Sequence, residues 1–117
     1  MADARDEVIT LWQACRHSDW DGFGAEPVSE HVLRNAYLLL ESLPWELPVP
    51  SIGAEPDGQV TLEWHRTAWR TLSVSVTPDG ELHYAALIGP NKNYGTEVFF
   101  GEAAAAIIEL VRRVYTM

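Results

Sequence analysis

Apolar side chains recur at helical spacing near both ends of the chain. The first predicted helix has one apolar face with a period of 3.6 residues, formed by Val8, Leu11, Trp12 and Cys15. A second helix is predicted to begin after the N-cap Ser29 and to end before Pro44. Its broad apolar face consists of Val32, Leu33, Ala36, Tyr37, Leu39, Leu40 and Leu43. The last predicted helix carries the apolar stripe Ala103, Ile107, Leu110, Val111 and Val114.

The middle of the chain alternates apolar and polar residues, which is typical of antiparallel strands covered on one face. Pro-Asp-Gly turns at 56–58 and 78–80 separate the strands. One face of three strands carries Val60, Leu62, Trp64, Leu72, Val74, Val76, Leu82, Tyr84 and Ala86. A short strand at Ile52 is expected first, and a last strand over roughly 96–100 is expected after a loop at 89–95.

These elements predict an α+β fold. Two N-terminal helices precede an antiparallel β-meander of four to five strands, and a C-terminal helix packs on one sheet face. Residues 1–117 form a single domain by length. A hydrophobic content of 47% with 5 Trp, 4 Tyr and 3 Phe provides material for a core and argues against disorder.

The charge balance narrows the classes of partner. With 8 Lys and Arg against 17 Asp and Glu, the formal net charge is −9, which argues against direct binding of nucleic acid. No apolar run is long enough to cross a bilayer, and the charged start MADARDEV lacks the apolar stretch of a signal peptide. A single cysteine, Cys15, excludes an intrachain disulfide. The expectation is a cytoplasmic protein without a membrane partner.

The segment between the first two helices matches some positions of a calcium-binding EF-hand loop. Counting from Asp19 as position one, Asp21, Gly24 and Glu30 occupy positions three, six and twelve. Phe23 stands at position five, however, where an oxygen ligand is required. Asp19, Asp21 and Glu30 are therefore weak metal candidates.

The alternative for the same segment is a tight structural loop. The two aspartates would then accept hydrogen bonds from backbone amides, while Gly22 and Gly24 would adopt positive φ. Trp20 and Phe23 would pack the loop against the core. The sequence favours a structural loop over a calcium-binding loop.

No motif for catalysis is recognisable. His65 and His83 lie on the polar side of the predicted sheet near Glu63, but no zinc-binding spacing supports them as metal ligands. Cys15 continues an apolar stripe and is expected to be a packed thiol. The prediction is a protein that is not an enzyme, with no catalytic residue and no cofactor.

The remaining signal lies on the predicted surface. A polar open sheet face is expected from Thr61, Glu63, His65, Thr71, Ser73, Ser75, Thr77 and His83. Trp69 lies at a predicted hairpin tip, where it either contacts a partner or folds back on the sheet. An exposed sheet edge can pair with the same edge of a second copy, so a homodimer is a further alternative.

The stretch Asp19–Val28 resembles a W-D-G-[FY]-G-A opening found in small bacterial and phage-borne proteins. The resemblance extends to the proline-rich stretch 43–50, to 62–64, to 72–76 and to 95–97. By analogy of class, it implies antitoxins, immunity proteins and inhibitors of host defence, anti-CRISPR proteins included.

The predicted function is a non-catalytic, acidic protein-binding module. It would be a stoichiometric inhibitor of a basic partner, such as a nuclease or another nucleic-acid-binding protein, because a negative domain is drawn to cationic clefts. The candidate contact residues are Asp19, Asp21, Glu26, Glu63, His65 and Trp69. The alternative is a small-ligand or calcium-binding domain that uses the loop from Asp19 to Glu30.

Overall fold

A computed structural model describes residues 2–99, 101 and 105–116, and this part of the chain forms three helices and five strands. The helices are α1 (Ala2–Cys15), α2 (Glu30–Ser42) and α3 (Ala105–Tyr115). The strands are β1 (Ser51–Ala54), β2 (Val60–Thr67), β3 (Arg70–Val76), β4 (Glu81–Ile88) and β5 (Asn91–Val98). The predicted α+β fold is confirmed. The expected Ala103 of the last helix lies outside the described residues.

The strands form one antiparallel meander in the order β1-β2-β3-β4-β5. Leu62 pairs with Val74, and Val74 pairs with Tyr84, so the predicted apolar positions share one face. Residues of all three helices join these side chains in a single buried cluster, Val8 from α1, Leu39 from α2 and Ile107 from α3 among them. The described helices therefore cover one side of the sheet and leave the other side open.

Local sequence signals explain where the elements begin and end. Ser29 caps α2, since its hydroxyl accepts a hydrogen bond from the amide of Val32 at 3.2 Å. The two Pro-Asp-Gly turns place Gly58 and Gly80 at positive φ, where glycine has no steric penalty. Thr77, expected on the open face, is instead buried in the second of these turns, where its hydroxyl donates to the carbonyl of Glu81.

The proline-rich stretch 43–50 connects α2 to the sheet and is tied to the core by Trp64. The indole of Trp64 is 1% exposed, and its Nε1 donates to the carbonyl oxygen of Pro48 at 2.8 Å. Leu43 and Leu47, on the same stretch, are buried in the core cluster. Trp64 therefore joins the connection, the sheet and the helices.

The predicted boundary of the last strand is wrong. A loop was expected at 89–95, but β5 begins at Asn91, directly after the turn at Gly89 and Pro90. The described part of α3 contacts β2, β3 and β4 but not β5. Alternating apolar residues arise where one face of a strand packs on the core. Since no described helix covers β5, this strand lacks the alternation of apolar and polar residues that predicted the other strands.

The single cysteine is a packed thiol, as expected. Cys15 is 3% exposed and belongs to the core cluster. Burial raises the pKa of its thiol, which disfavours the reactive thiolate.

Among the described residues, no helix combines the length and apolar content that crossing a membrane requires.

Candidate protein-binding site at the acidic end

The two ends of the sheet carry opposite charge. In an antiparallel meander, the β1–β2 and β3–β4 turns lie at one end of the sheet. The loop between α1 and α2 joins them there, because the amide of Glu26 donates to the carbonyl of Pro56 at 2.8 Å. We call this region the acidic end, defined by Asp19, Asp21, Glu26, Glu30, Glu55, Asp57, Asp79, Glu81 and Glu97.

The opposite end, which we call the basic end, holds most of the protein's 8 Lys and Arg residues. It is defined by Arg66, Arg70, Lys92, Arg112 and Arg113. Two of these guanidinium groups donate to carbonyls at the C-terminus of α3, Arg66 to Thr116 at 3.0 Å and Arg70 to Arg113 at 2.7 Å. These cations bind carbonyls at the end of the helix and complement its dipole, and the Arg113 carbonyl also accepts from the amide of Thr116 at 3.4 Å.

Two aspartates build the loop at the acidic end. The amide of Asp19 donates to the carbonyl of Ala25 at 2.7 Å, and the Asp19 carboxylate accepts from the amide of Gly24. The Asp21 carboxylate accepts from Phe23 at 2.8 Å and from Ala25 at 3.1 Å. The prediction of a structural loop held by aspartate–amide hydrogen bonds is confirmed.

The two aromatic residues of this loop have different environments. Trp20 packs against the core and donates from Nε1 to the carbonyl of Glu26 at 2.7 Å, as expected. Phe23 is 91% exposed, so the prediction that it also packs on the core is wrong. Gly22 and Gly24, at φ 78° and 82°, flank it and turn the chain around an apex that presents its ring to solvent.

Phe23 is therefore the most exposed of the apolar surface residues that the sequence reasoning missed. Its only signal was a Gly-Phe-Gly triplet between two structural aspartates, a pattern that fits an inward ring equally well. The direction of the ring depends on where the loop meets the β1–β2 turn, and that contact is tertiary. The result is an exposed aromatic ring on an acidic loop whose backbone is hydrogen-bonded.

The predicted metal candidates do not converge. The described residues contain no group of three or more His, Cys, Asp or Glu side chains that could hold a metal ion, so Asp19, Asp21 and Glu30 are not brought together as ligands. His65 pairs with Thr71, whereas His83 pairs with Ser75 two strands away. The two histidines are therefore two strands apart across the sheet and four residues apart along it, a diagonal distance of roughly 16 Å.

The six predicted contact residues divide among three places. Asp19, Asp21 and Glu26 lie together at the acidic end. Glu63 and His65 are exposed on the open sheet face, with 3.9 Å between Glu63 Oε1 and His65 Nδ1. Trp69 is 67% exposed in the β2–β3 turn, at the basic end, so its side chain does not fold back on the sheet.

Comparison with known proteins provides no relative from which a role could be transferred. A scan against protein-family models, a search of curated proteins and a search of solved structures each found no match. The resemblance of Asp19–Val28 to small bacterial and phage-borne proteins stays a prediction. Support for a function comes from the geometry of the acidic end.

We expect Asp21→Ala to destabilise the protein, since it removes the acceptor of two loop amides. Each lost hydrogen bond contributes about 0.5–1.5 kcal/mol, so the variant should lose about 1–3 kcal/mol, and Tm should fall by roughly 4 °C for each kcal/mol. Thermal unfolding followed by circular dichroism measures the change. Asp79→Ala is the control, because this exposed acid of the same end makes no hydrogen bond through its carboxylate among the described residues. Equal shifts for both variants would contradict the structural role of Asp21.

Proposed function

We propose that this protein is a non-catalytic binding module that inhibits a basic protein in a one-to-one complex. The partner is a nucleic-acid-binding protein, a nuclease being one such target, and the contact surface is the acidic end. The observation that supports this most directly is the solvent-exposed ring of Phe23 on a hydrogen-bonded loop. The proposal assigns the protein to the same broad class as antitoxins, immunity proteins and anti-CRISPR proteins.

Phe23 would act as the apolar anchor of the complex. Aromatic residues are enriched in the buried centres of protein interfaces, where their area is removed from water. The loop that carries Phe23 is closed by hydrogen bonds that its backbone amides donate to the carboxylates of Asp19 and Asp21, and Trp20 attaches it to the core. Because these contacts hold the loop backbone before binding, only the Phe23 side chain has to lose conformational freedom, so more of its burial energy stabilises the complex.

The surrounding carboxylates would provide attraction and selectivity. Glu55 and Asp79 are exposed at the acidic end, and their side chains make no hydrogen bond within the described residues. Negative charge around an apolar anchor speeds encounter with a cationic cleft and opposes binding to acidic surfaces. The carboxylates also pair with the cationic side chains of the partner that would otherwise bind the phosphates of nucleic acid. Glu63, His65 and Trp69 lie outside this surface and have no role in the proposal.

Capture from nuclease-treated lysate of the source cells tests the electrostatic part of the proposal. The wild-type protein is expected to retain a basic nucleic-acid-binding protein at low salt and to release it as the salt concentration rises. The double variant Glu55→Lys/Asp79→Lys should retain much less of the same protein, as measured by quantitative mass spectrometry.

A charge-matched variant is the control for this capture. Glu63→Lys/Glu109→Lys changes the net charge by the same amount, but both positions are exposed outside the acidic end. We expect it to retain the partner nearly as well as the wild type does. If the two double variants lose the partner equally, net charge rather than the acidic end is responsible. If the wild type retains no basic protein at low salt, the proposal is wrong.

A further inference from the structure

On the side of β5 that faces away from β4, a row of backbone groups has no partner among the residues that the structure describes. Beyond Val98, the register continues through Phe99, whose amide donates to the carbonyl of Gly80 at 2.9 Å. Hydrogen-bonded and non-hydrogen-bonded pairs alternate along an antiparallel ladder. The odd-numbered residues of β5 therefore bond to β4. The even-numbered residues point their N–H and C=O groups away from the sheet: Lys92, Tyr94, Thr96 and Val98.

This edge has few of the features that prevent strands from pairing with another chain. All eight residues of β5 pair with β4 without a break in register, and Pro90 comes before the strand rather than within it. Tyr94 is 72% exposed and Val98 is 59% exposed. The opposite edge differs, because β1 has only four residues and α1 packs against it.

A polar groove of about 380 Å³ lies beside the same edge, between β5 and α3. Its lining includes the donors Lys92, Asn93 and Arg113 and one carboxylate, that of Glu109, so cationic side chains outnumber anionic ones in the groove. The Nδ2 atom of Asn93 is buried and has no hydrogen-bond partner among the described residues. A buried amide donor without an acceptor is unfavourable, which indicates that the groove is incomplete in the single chain.

We propose that a second copy of this chain completes the edge, with β5 pairing antiparallel to its equivalent about a two-fold axis at Gly95. This register places Asn93 opposite Glu97 of the second copy in a non-hydrogen-bonded pair, where Cα atoms lie about 4.5 Å apart. A small rotation of the Asn93 amide, whose Nδ2 is buried in the single chain, gives this atom the incoming carboxylate as its acceptor. The carboxylate enters a groove in which Lys92 and Arg113 outnumber Glu109. By symmetry, the contact forms twice. The outward groups of the even-numbered residues pair in the same register.

The glycine on the proposed axis fits this arrangement. A Cβ at Gly95 would overlap the hydroxyl of Tyr84, whose ring occupies the space above the strand. Tyr84 therefore requires glycine at this position within one chain, and the two glycines on the axis bring no Cβ atoms into their close, non-hydrogen-bonded pair. Tyr94 and Thr96 of the two copies then lie opposite one another on the open face, where tyrosine and threonine form favourable cross-strand pairs.

The distribution of charge favours the same orientation. Along β5, the chain runs from Lys92 at the basic end to Glu97 at the acidic end. Antiparallel pairing places the acidic end of each copy beside the basic end of the other. The attraction between opposite ends offsets part of the repulsion between two chains that each carry a formal charge of −9.

Sedimentation equilibrium with Thr96→Pro tests the edge itself. The wild-type protein should have twice its monomer mass of 13.1 kDa at millimolar concentration and dissociate on dilution. Proline at position 96 removes an outward N–H without removing a bond to β4, so we expect a monomer with an unchanged far-ultraviolet spectrum. Thr96→Val keeps the N–H and should stay dimeric. A wild-type monomer at millimolar concentration, or a dimer that Thr96→Pro leaves intact, overturns the proposal.

Glu97→Lys tests the register. It replaces the acceptor of Asn93 with a cation beside Arg113, so the dissociation constant of the dimer should rise at least about tenfold. Glu55→Lys makes the same charge change at the acidic end, away from β5, and should raise the constant much less. Equal constants for the wild type and Glu97→Lys would rule out the register centred on Gly95.

Discussion

Trp64→Ala is expected to lower the free energy of unfolding by about 3–5 kcal/mol, the range for truncating a large buried aromatic side chain. Trp64 is among the largest fully buried side chains, at 1% exposure. The change leaves a cavity where the sheet meets the helices. It also removes the donor to the Pro48 carbonyl and so detaches the proline-rich stretch 43–50. Because a domain of this size is stable by only about 5–15 kcal/mol, much of the protein could unfold at physiological temperature.

Two further tryptophan variants separate packing from hydrogen bonding. Trp64→Phe keeps an aromatic ring but loses the N–H donor, so its destabilisation should be clearly smaller than that of Trp64→Ala. Trp45→Ala removes a ring that is 87% exposed and should change stability by no more than about 0.5 kcal/mol. Urea unfolding followed by far-ultraviolet circular dichroism measures all three. Similar losses for Trp64→Ala and Trp45→Ala would show that Trp64 does not anchor the core.

Phe23→Ala is expected to weaken binding to the basic partner about 100-fold, which corresponds to about 2.7 kcal/mol and is typical of an interface hot spot. The ring is 91% exposed in the free protein, so its removal should leave the melting temperature nearly unchanged. A large loss of affinity without a loss of stability is characteristic of a residue that contacts a partner. Titration calorimetry against the captured partner gives the dissociation constants.

Trp45→Ala is the matched control for this prediction. It removes another highly exposed aromatic ring, but one that follows α2 beside Glu46, which bonds to Arg112 of the basic end at 3.2 Å. We expect wild-type affinity from this variant. If Trp45→Ala weakens binding and Phe23→Ala does not, the contact surface is at the basic end, and the proposed orientation is wrong.

Much of the fold could be predicted because burial imposes a period on the sequence. The helical stripes and the strand alternation both arise from packing on one sheet face, and Leu62, Val74 and Ile107 meet there as expected. The start of β5 was missed for the same reason. Asn91, Lys92 and Asn93 extend an edge strand that the described part of α3 does not contact, so no apolar alternation marks it.

Less of the candidate site could be predicted. The roles of Asp19 and Asp21 follow from local chemistry, since short acidic side chains accept hydrogen bonds from nearby amides in tight loops. The exposure of Phe23 and Trp69 depends on tertiary contacts that no local pattern encodes. The separation of charge was also hidden, because a net charge of −9 is a sum over the chain. The strand order shows which turns share an end, and the contact between Glu26 and Pro56 places the acidic loop with them.

Competition with nucleic acid at the captured partner tests the central claim most directly. A labelled oligonucleotide is bound to the partner, and its fluorescence anisotropy is followed as the wild-type protein is added. We predict that the oligonucleotide is released in full near one equivalent of protein, and that Phe23→Ala requires a large excess. If the anisotropy stays high or rises with added protein, nucleic acid and this protein bind the partner together, which contradicts inhibition through the acidic end.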